Sequence, residues 1–445
     1  MTTTLLRPAP PHPMPPARRW VALARSLAIA LAIALAVATA HFVHGTALTH
    51  TVLMQSFNWV FDFDTSRFVG GWCTAGADVA RDMDLSFVAR HALSLATRPA
   101  CLALLPLLPL NGTPELALMA LTALCAGAVA ALAYGLAAAF CAAEFDRVLL
   151  ALGYAVSVHP LLLGVIPETY GFALMGIALH CVLLAHGRGD PLQPGAWSRV
   201  SLFLNLGFTV TNGALNPLSS AVMNWQRIGL RDWLRTEVKV WLVAGGALLL
   251  VTSAAAAYFE PALLGMAGKA PQKVWWIINI NRGEPASLWM VLCTFFLYSF
   301  VAPELTLVDL PAPDSHAMLD FRAFQFGAAG GTALALWGLA LVVSVRLAWR
   351  GHATRRLLVV AAVWMLCNVL LHWYWQYRGS IYLYGAHTSF VLFMVLVMGY
   401  GAALRRYSTK WIRIYVSLLV ALCAINNYGI YTQMIDFVLK QPLSP

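Results

Sequence analysis

Apolar stretches about the length of a bilayer crossing alternate along this chain with short polar connections. Trp20 to Val43 contains one formal charge, Arg25, and is long enough for a helical span. A second span starts at Asn111-Gly112-Thr113-Pro114-Glu115, where Thr113 reads as the N-cap and Pro114 as the first helical residue, and it ends near Cys141. From Arg147 to His186 the chain stays apolar for two span lengths. One break interrupts it, at Pro167-Glu168-Thr169-Tyr170-Gly171, so a third span stops there and Glu168 caps a fourth. Leu206 to Pro217 places Gly, Asn and Pro in the middle of one hydrophobic length, which predicts two half-length helices that return the chain to the side it came from. Further spans are predicted from Val240 to Tyr258, Phe324 to Val345, Leu357 to Trp375, Ile381 to Leu404 and Trp411 to Tyr431.

Two stretches fit this scheme less simply. Ser86 to Leu110 is interrupted by Arg90, His91, Arg98 and Pro99, and reads as an interfacial or re-entrant helix. Ser287 to Val301 is apolar but short, and a crossing there would put Arg346, Arg350, Arg355 and Arg356 outside, against the positive-inside bias. The expectation is therefore an all-α polytopic membrane protein with 11 crossings or half-crossings, N-terminus inside and C-terminus outside. It has a Pro-rich disordered tail over 1–19 and one membrane domain over 20–445, with long outer loops at 44–113 and 259–323. Treating 86–110 as a true span would instead place Glu168 inside.

Composition agrees: 60% of residues are hydrophobic, 11% are charged and the mean hydropathy is +0.71, too apolar for a soluble chain of 445 residues. The net charge of +10 is explained by basic inner loops without invoking nucleic acid. In this topology most Lys and Arg fall inside and most acids outside. Arg18, Arg19 and the run after them resemble a signal peptide with Ala38-Thr39-Ala40 as a cleavage site, but the run is longer than a ~7–15-residue signal core and is expected to stay as a helix. The eight cysteines form no CxxC motif, and Cys125, Cys141, Cys181, Cys367 and Cys423 sit in apolar runs. They are expected to be packing residues, forming neither a zinc site nor a disulfide framework.

Charge gathers abruptly between Phe57 and His91. Phe57-Asn58-Trp59-Val60-Phe61-Asp62-Phe63-Asp64-Thr65-Ser66-Arg67 alternates aromatic rings with carboxylates, and Asp78, Arg81, Asp82, Asp84, Arg90 and His91 follow. Such a segment can lie at a lipid–water boundary with its rings buried and its acids facing one site; the plainer alternative is a solvated acidic loop. Asp62 and Asp64 can hold a divalent cation as paired carboxylates, although the tripeptide is common. Trp375-Gln376-Tyr377-Arg378 puts a cation between two outer helix ends, where a planar guanidinium suits phosphate. His159 and His180, alone in apolar runs, are expected to be hydrogen-bonded packing residues. Asn212 and Asn216 can serve to satisfy the broken backbone of the half-helices.

The first helix, the long outer loop carrying an aspartate, the helix pair broken at an outer Pro and acid, and the half-helix pair with its Gly-x-x-x-Thr-x-x break together resemble the GT-C glycosyltransferases. The nearest in architecture are the protein O-mannosyltransferases and lipid A aminoarabinose transferases. The resemblance implies a polyprenyl-phosphate-linked sugar donor, an envelope acceptor and inverting transfer on the outer face of a bacterial inner membrane. It places the base on Asp64 or Asp62 and a second acid on Glu168. Arg378, with Arg90 or Arg282, is then expected to bind the donor phosphate, and Arg67, His91, Asn212, Tyr384 and His387 to contact substrate. The chain departs from the pattern in lacking an Asp-Glu pair in the first loop, in reading Thr211-Asn212 where a basic residue is usual, and in having no large C-terminal soluble domain. Competing classes are a transporter or lipid flippase, which also uses broken helices and buried polar groups, and a non-enzymatic partner in polysaccharide assembly.

Overall fold

The computed structural model describes residues 16–55, 59–61, 65–69, 73, 93–108, 112–187, 196–224, 229–259, 287–309, 317–374 and 380–441. Among them the chain is an all-α polytopic membrane protein with one small β-ribbon. Among the described residues seven helices are long and apolar enough to cross a membrane, against the 11 crossings or half-crossings counted from sequence. The difference falls on helices that are short or broken.

Helix α1 (Pro16–Thr46) begins inside the tail expected to be disordered, so its last residues, 16–19, are helical. Two single turns follow, α2 (Val52–Gln55) and α3 (Thr65–Phe68). Helix α4 (Ser94–Leu104) has 11 residues, about 16 Å at 1.5 Å per residue, which is too short to cross a bilayer. Helix α5 (Pro114–Ala138) starts as predicted, with the Thr113 hydroxyl accepting from the Leu116 amide at 3.3 Å. It packs along α1 so closely that a Cβ at Gly127 would lie 2.3 Å from the Ala34 carbonyl oxygen.

The predicted third span is two helices, α6 (Glu144–Ala155) and α7 (Val158–Leu163). Pro160 explains the break, because it lacks the N–H that would bond the Val156 carbonyl four residues earlier. The Asn427 amide donates to that carbonyl instead, at 2.9 Å. Helix α8 (Thr169–Ala185) begins at the expected cap, where Glu168 Oε1 accepts from the Thr169 amide at 2.8 Å.

The half-helix pair is present as α9 (Ala196–Phe208) and α10 (Leu215–Asn224), joined by a 3-10 turn over Val210–Ala214. Asn216 does not serve the broken backbone. Its Oδ1 accepts from Asn205 Nδ2 at 3.0 Å, linking the two halves. His180 bridges them to α8 through the hydroxyls of Ser201 and Ser219, at 2.9 and 3.0 Å. It is a hydrogen-bonded packing residue, as expected.

Helix α11 (Leu230–Phe259) starts ten residues before the predicted span, so Arg231, Arg235 and Lys239 lie on its first turns and not in a loop. Trp233 Nε1 anchors that extension by donating to the Ser220 hydroxyl at 2.9 Å. Helix α12 (Leu288–Cys293) runs into a π-turn over Thr294–Tyr298 and is too short to cross. Strands β1 (Thr306–Asp309) and β2 (Ala317–Asp320) then form an antiparallel ribbon where the sequence reading expects only loop.

Four longer helices and one short one complete the bundle: α13 (Ala328–Trp349), α14 (His352–Tyr374), α15 (Ile381–Tyr384), α16 (Ala386–Leu404) and α17 (Thr409–Leu439). The predicted span from Ile381 is broken at Gly385, where a Cβ would meet the His159 ring at 2.6 Å. Every residue from Ala386 to Ala402 is buried, which makes α16 the centre of the core. One end of the bundle is clamped by Asp146, which accepts from Arg413 through both oxygens, at 2.8 and 2.9 Å, and from the Tyr400 hydroxyl at 2.7 Å. The loops gather at the other end.

A disulfide there corrects the reading of the cysteines. Cys73 and Cys101, both buried, are bonded with their Cα atoms 5.4 Å apart, tying the first loop to α4. Of the five cysteines in apolar runs, Cys125, Cys141, Cys181 and Cys423 are buried free thiols, as expected of packing residues, whereas Cys367 is a free thiol exposed on the surface of α14.

Candidate functional site

The two long loops, 44–113 and 259–323, are joined by backbone pairing. Val60 forms a parallel bridge with Leu319: the Leu319 amide donates to the Trp59 carbonyl at 3.0 Å, and the Phe61 amide donates to the Leu319 carbonyl at 2.8 Å. Phe61 is held at φ 49°, a left-handed conformation that costs a non-glycine residue of order 1–3 kcal/mol. Packing offsets that cost, since its ring lies 4.6 Å from both Phe321 and Tyr382 and is fully buried. Tyr382 in turn stacks on His159 at 4.4 Å, and His159 Nε2 donates to the Tyr382 carbonyl at 2.9 Å. The first loop, the second loop and the start of α15 therefore meet in one aromatic node.

Asp320 is the polar centre of that node. Its carboxylate accepts from the Ser380 hydroxyl at 2.5 Å, from the Phe321 amide at 2.8 Å and from Arg322 Nε at 2.5 Å. Burial pushes its pKa above the ordinary carboxylate value, against the pull of Arg322 and the two hydrogen bonds. Asp320 is outside the expected catalytic set. Met318-Leu319-Asp320-Phe321-Arg322 was the available signal, an acid embedded among bulky apolar residues with a cation two positions on.

A second group lies where α8, α14, α15 and α16 reach the same end. Glu168 is buried and, besides capping α8, accepts from the Thr169 hydroxyl at 3.0 Å. Tyr170 packs edge-on to Tyr384 at 5.8 Å and to His387 at 5.4 Å. His372 stacks on Tyr384 at 4.2 Å. The His387 carbonyl accepts from Trp364 Nε1 at 2.7 Å, which fixes the first turn of α16. Three expected site residues, Glu168, Tyr384 and His387, thus share one neighbourhood with Tyr170 and His372.

Asn212 belongs to the half-helix break. It is buried, and its amide nitrogen and oxygen have no hydrogen-bond partner, so it does not satisfy the broken backbone. The break touches the first loop directly, through the Leu93 amide donating to the Gly207 carbonyl at 2.8 Å. Arg67 lies on α3, where only its backbone is described. Asp62, Asp64, Arg90, His91, Arg282 and Arg378 lie outside the described residues. Of the described residues nearest to them in sequence, Phe61, Thr65, Leu93 and Ser380 are buried, while Ser287, the nearest to Arg282, is exposed. The pair expected to suit a divalent cation is among those six; among the described residues no group of three or more His, Cys, Asp or Glu side chains is placed to hold a metal. Comparison with protein-family models, with curated proteins and with solved structures finds no match to this chain.

Proposed function

We propose that this chain is a glycosyltransferase of GT-C type that moves a sugar from a polyprenyl-phosphate-linked donor to an envelope lipid, polysaccharide or protein, with inversion, on the outer face of a bacterial inner membrane. The observation that carries the reading is the pairing of Trp59–Phe61 with Leu319. It ties the acid-bearing first loop to the second loop at the end of the bundle where Glu168, Tyr384 and His387 gather. A polyprenyl phosphate sits in the leaflet, so its sugar arrives at that depth.

The sidedness rests on two supports. Disulfides persist in oxidising compartments, and the Cys73–Cys101 bond lies in the first loop. The turns at Arg346–Arg356 and Arg405–Arg413 are basic, as inner turns are. On this reading α6 with α7 make one crossing, α8 another, and α9 with α10 a half-crossing pair, giving 11 crossings or half-crossings.

In the proposed reaction Asp64, with Asp62 as the reserve, takes the proton of the acceptor hydroxyl as its oxygen bonds the anomeric carbon. The bond from that carbon to the phosphate oxygen breaks, and the phosphate leaves with the electron pair, held by Arg378 with Arg90 or Arg282. Glu168 orients the base, and Arg67, His91, Asn212, Tyr384 and His387 contact the substrates.

Transfer by the purified protein in nanodiscs, with a panel of radiolabelled polyprenyl-phosphate hexoses and pentoses, tests this. Asp64→Asn is expected to lower the rate ~10²–10⁴-fold with donor binding nearly intact. Loss in Asp62→Asn alone moves the base to Asp62. Parental rates in both overturn the carboxylate mechanism and bring the transporter class forward. Impermeant thiol labelling in cells at position 231 but not at 64 would reverse the orientation.

A further inference from the structure

At the end opposite the loops, α13 and α16 pack along each other and stop at the same level. A Cβ at Gly399 of α16 would lie 2.2 Å from the Ser344 Cα of α13, so the two backbones touch there. Each helix ends six residues further on, about 9 Å at 1.5 Å per residue, with an arginine as its C-cap: Arg350 on α13 and Arg405 on α16. Both caps are exposed, and so are Arg346, Arg355, Arg406 and Lys410 around the same two turns.

Nothing nearby neutralises these six cations. The acids of the adjoining turn are already engaged: Glu144 accepts from the Tyr134 hydroxyl and pairs with Arg147 at 3.7 Å, and Asp146 is held by Arg413 through both oxygens. Among the described residues none of the six has a carboxylate partner. A helix C-terminus carries about half a negative charge, so the two C-termini offset only about one of the six. Aromatic rings stand among the cations. The Arg355 guanidinium lies over the Trp349 ring at 6.0 Å and the Lys410 ammonium over the Trp411 ring at 5.9 Å, and both tryptophans are more than half exposed. Exposed tryptophans at the ends of apolar helices mark the depth of lipid headgroups.

We propose that the α13–α14 and α16–α17 turns form one binding site for the anionic headgroup of a membrane phospholipid. Its phosphate lies between Arg350 and Arg405, and Trp349 and Trp411 meet the boundary between headgroup and acyl chain. The site is independent of the transfer reading. Sidedness alone calls for cations at this end, but not for two of them set at one level by a glycine contact. A soluble polyanion would find the same charge, yet it has no use for tryptophans at the lip of apolar helices.

The test titrates the whole protein in detergent with dioleoyl-phosphatidylglycerol or dioleoyl-phosphatidylcholine and counts bound lipid by native mass spectrometry. Phosphatidylglycerol is expected to bind more tightly, with a preference that shrinks as salt rises. Arg350→Gln combined with Arg405→Gln should weaken the first bound phosphatidylglycerol about tenfold or more, the scale of two cations lost at a membrane surface. The corresponding pair of lysine substitutions should keep most of the binding. Arg231→Gln with Arg235→Gln, which removes equal charge from the first turns of α11, should change nothing. A second readout needs no variant: phosphatidylglycerol should slow amide exchange in the α13–α14 and α16–α17 turns and leave the start of α11 as it was. Equal affinity for the two lipids, equal loss in both glutamine pairs, or protection spread evenly over α11 overturns the site. Inorganic pyrophosphate binding as tightly as phosphatidylglycerol gives the charge a soluble partner and overturns the lipid assignment.

Discussion

Ser380 gives its hydroxyl hydrogen to Asp320 across 2.5 Å and also accepts from the Tyr382 amide at 3.2 Å, so one side chain both caps α15 and fastens it to the second loop. Because Leu319 is paired with Trp59 and Phe61, the bond also reaches the first loop through a single residue. Three segments far apart in sequence hold one another in register through Asp320.

This gives a pH prediction. Burial raises the folded-state pKa of Asp320 above its unfolded value. The folded protein therefore binds that proton more tightly. The group's share of stability is full below the ordinary carboxylate value and is lost as the pH rises through the raised one. Melting temperatures of parent and Asp320→Asn across the acidic range should diverge in slope, with the Asn variant flatter because it carries no titrating group. Asp320→Ala leaves the Ser380 hydroxyl proton without its acceptor and is expected to destabilise by about 1–3 kcal/mol at low pH, with the cost shrinking as the pH rises through the raised value. Parallel curves for parent and Asp320→Asn would refute the assignment.

Asn427 makes a second prediction. Besides the Val156 carbonyl, its Nδ2 reaches the Phe300 carbonyl at 2.7 Å and its Oδ1 accepts from the Ala302 amide at 2.9 Å. It serves the backbone at the break between α6 and α7 and the backbone just beyond the α12 π-turn. Asn427→Leu, which keeps the branched shape and removes every polar atom, is expected to cost about 2–4 kcal/mol by leaving three backbone groups unpaired. Thermal denaturation in detergent measures this, and a change within experimental scatter would show that other groups take over.

The disulfide makes a third. Cys73 and Cys101 are 28 residues apart, and closing a loop of that size stabilises by about 3–4 kcal/mol in the chain-entropy model. Denatured protein alkylated before and after reduction should gain two reactive thiols on reduction. Cys101→Ser should loosen the first loop and α4, read as faster amide exchange at Leu93 and Gly207, while α16 is unchanged. Equal labelling with and without reductant would remove the bond.

Much of this architecture was readable because it is local. Thr113 before Pro114, and Glu168 before Thr169, are caps that act on their own helices, and both are found in place. The Gly, Asn and Pro between Leu206 and Pro217 break a helix wherever they stand. Pro160 was equally readable; its missing N–H frees the Val156 carbonyl, and the predicted third span divides at that point. What escaped depends on distant partners. No pattern around Val60 announces Leu319, and the cysteine spacing does not announce the Cys73–Cys101 pair. Asp320 reads as an ordinary loop acid until Ser380 is brought against it. The ring cluster is the same case, since Tyr170, His372 and Tyr384 come from three separate helices.

The phosphate assignment yields a fourth prediction. If Arg378 holds two phosphate oxygens through its planar fork, Arg378→Lys keeps the charge and loses the geometry. Donor affinity should fall modestly and the transfer rate about 10-fold or more. Unchanged affinity and turnover in Arg378→Ala would send the phosphate to Arg90 or Arg282.

The bridge between Val60 and Leu319 also sets an order of events during synthesis. The ribosome emits Phe61 early, and Leu319 follows only after α4 to α12 have been made; at ~5–20 residues per second the interval is on the order of tens of seconds. Throughout it the first loop waits without its strand partner, and its aromatic residues are open to chaperones and proteases. Nascent chains arrested before β2 should therefore be cleaved in the first loop, and chains released beyond Ser380 should resist. Assembly of this end of the protein is timed by the second loop, however early the first one arrives.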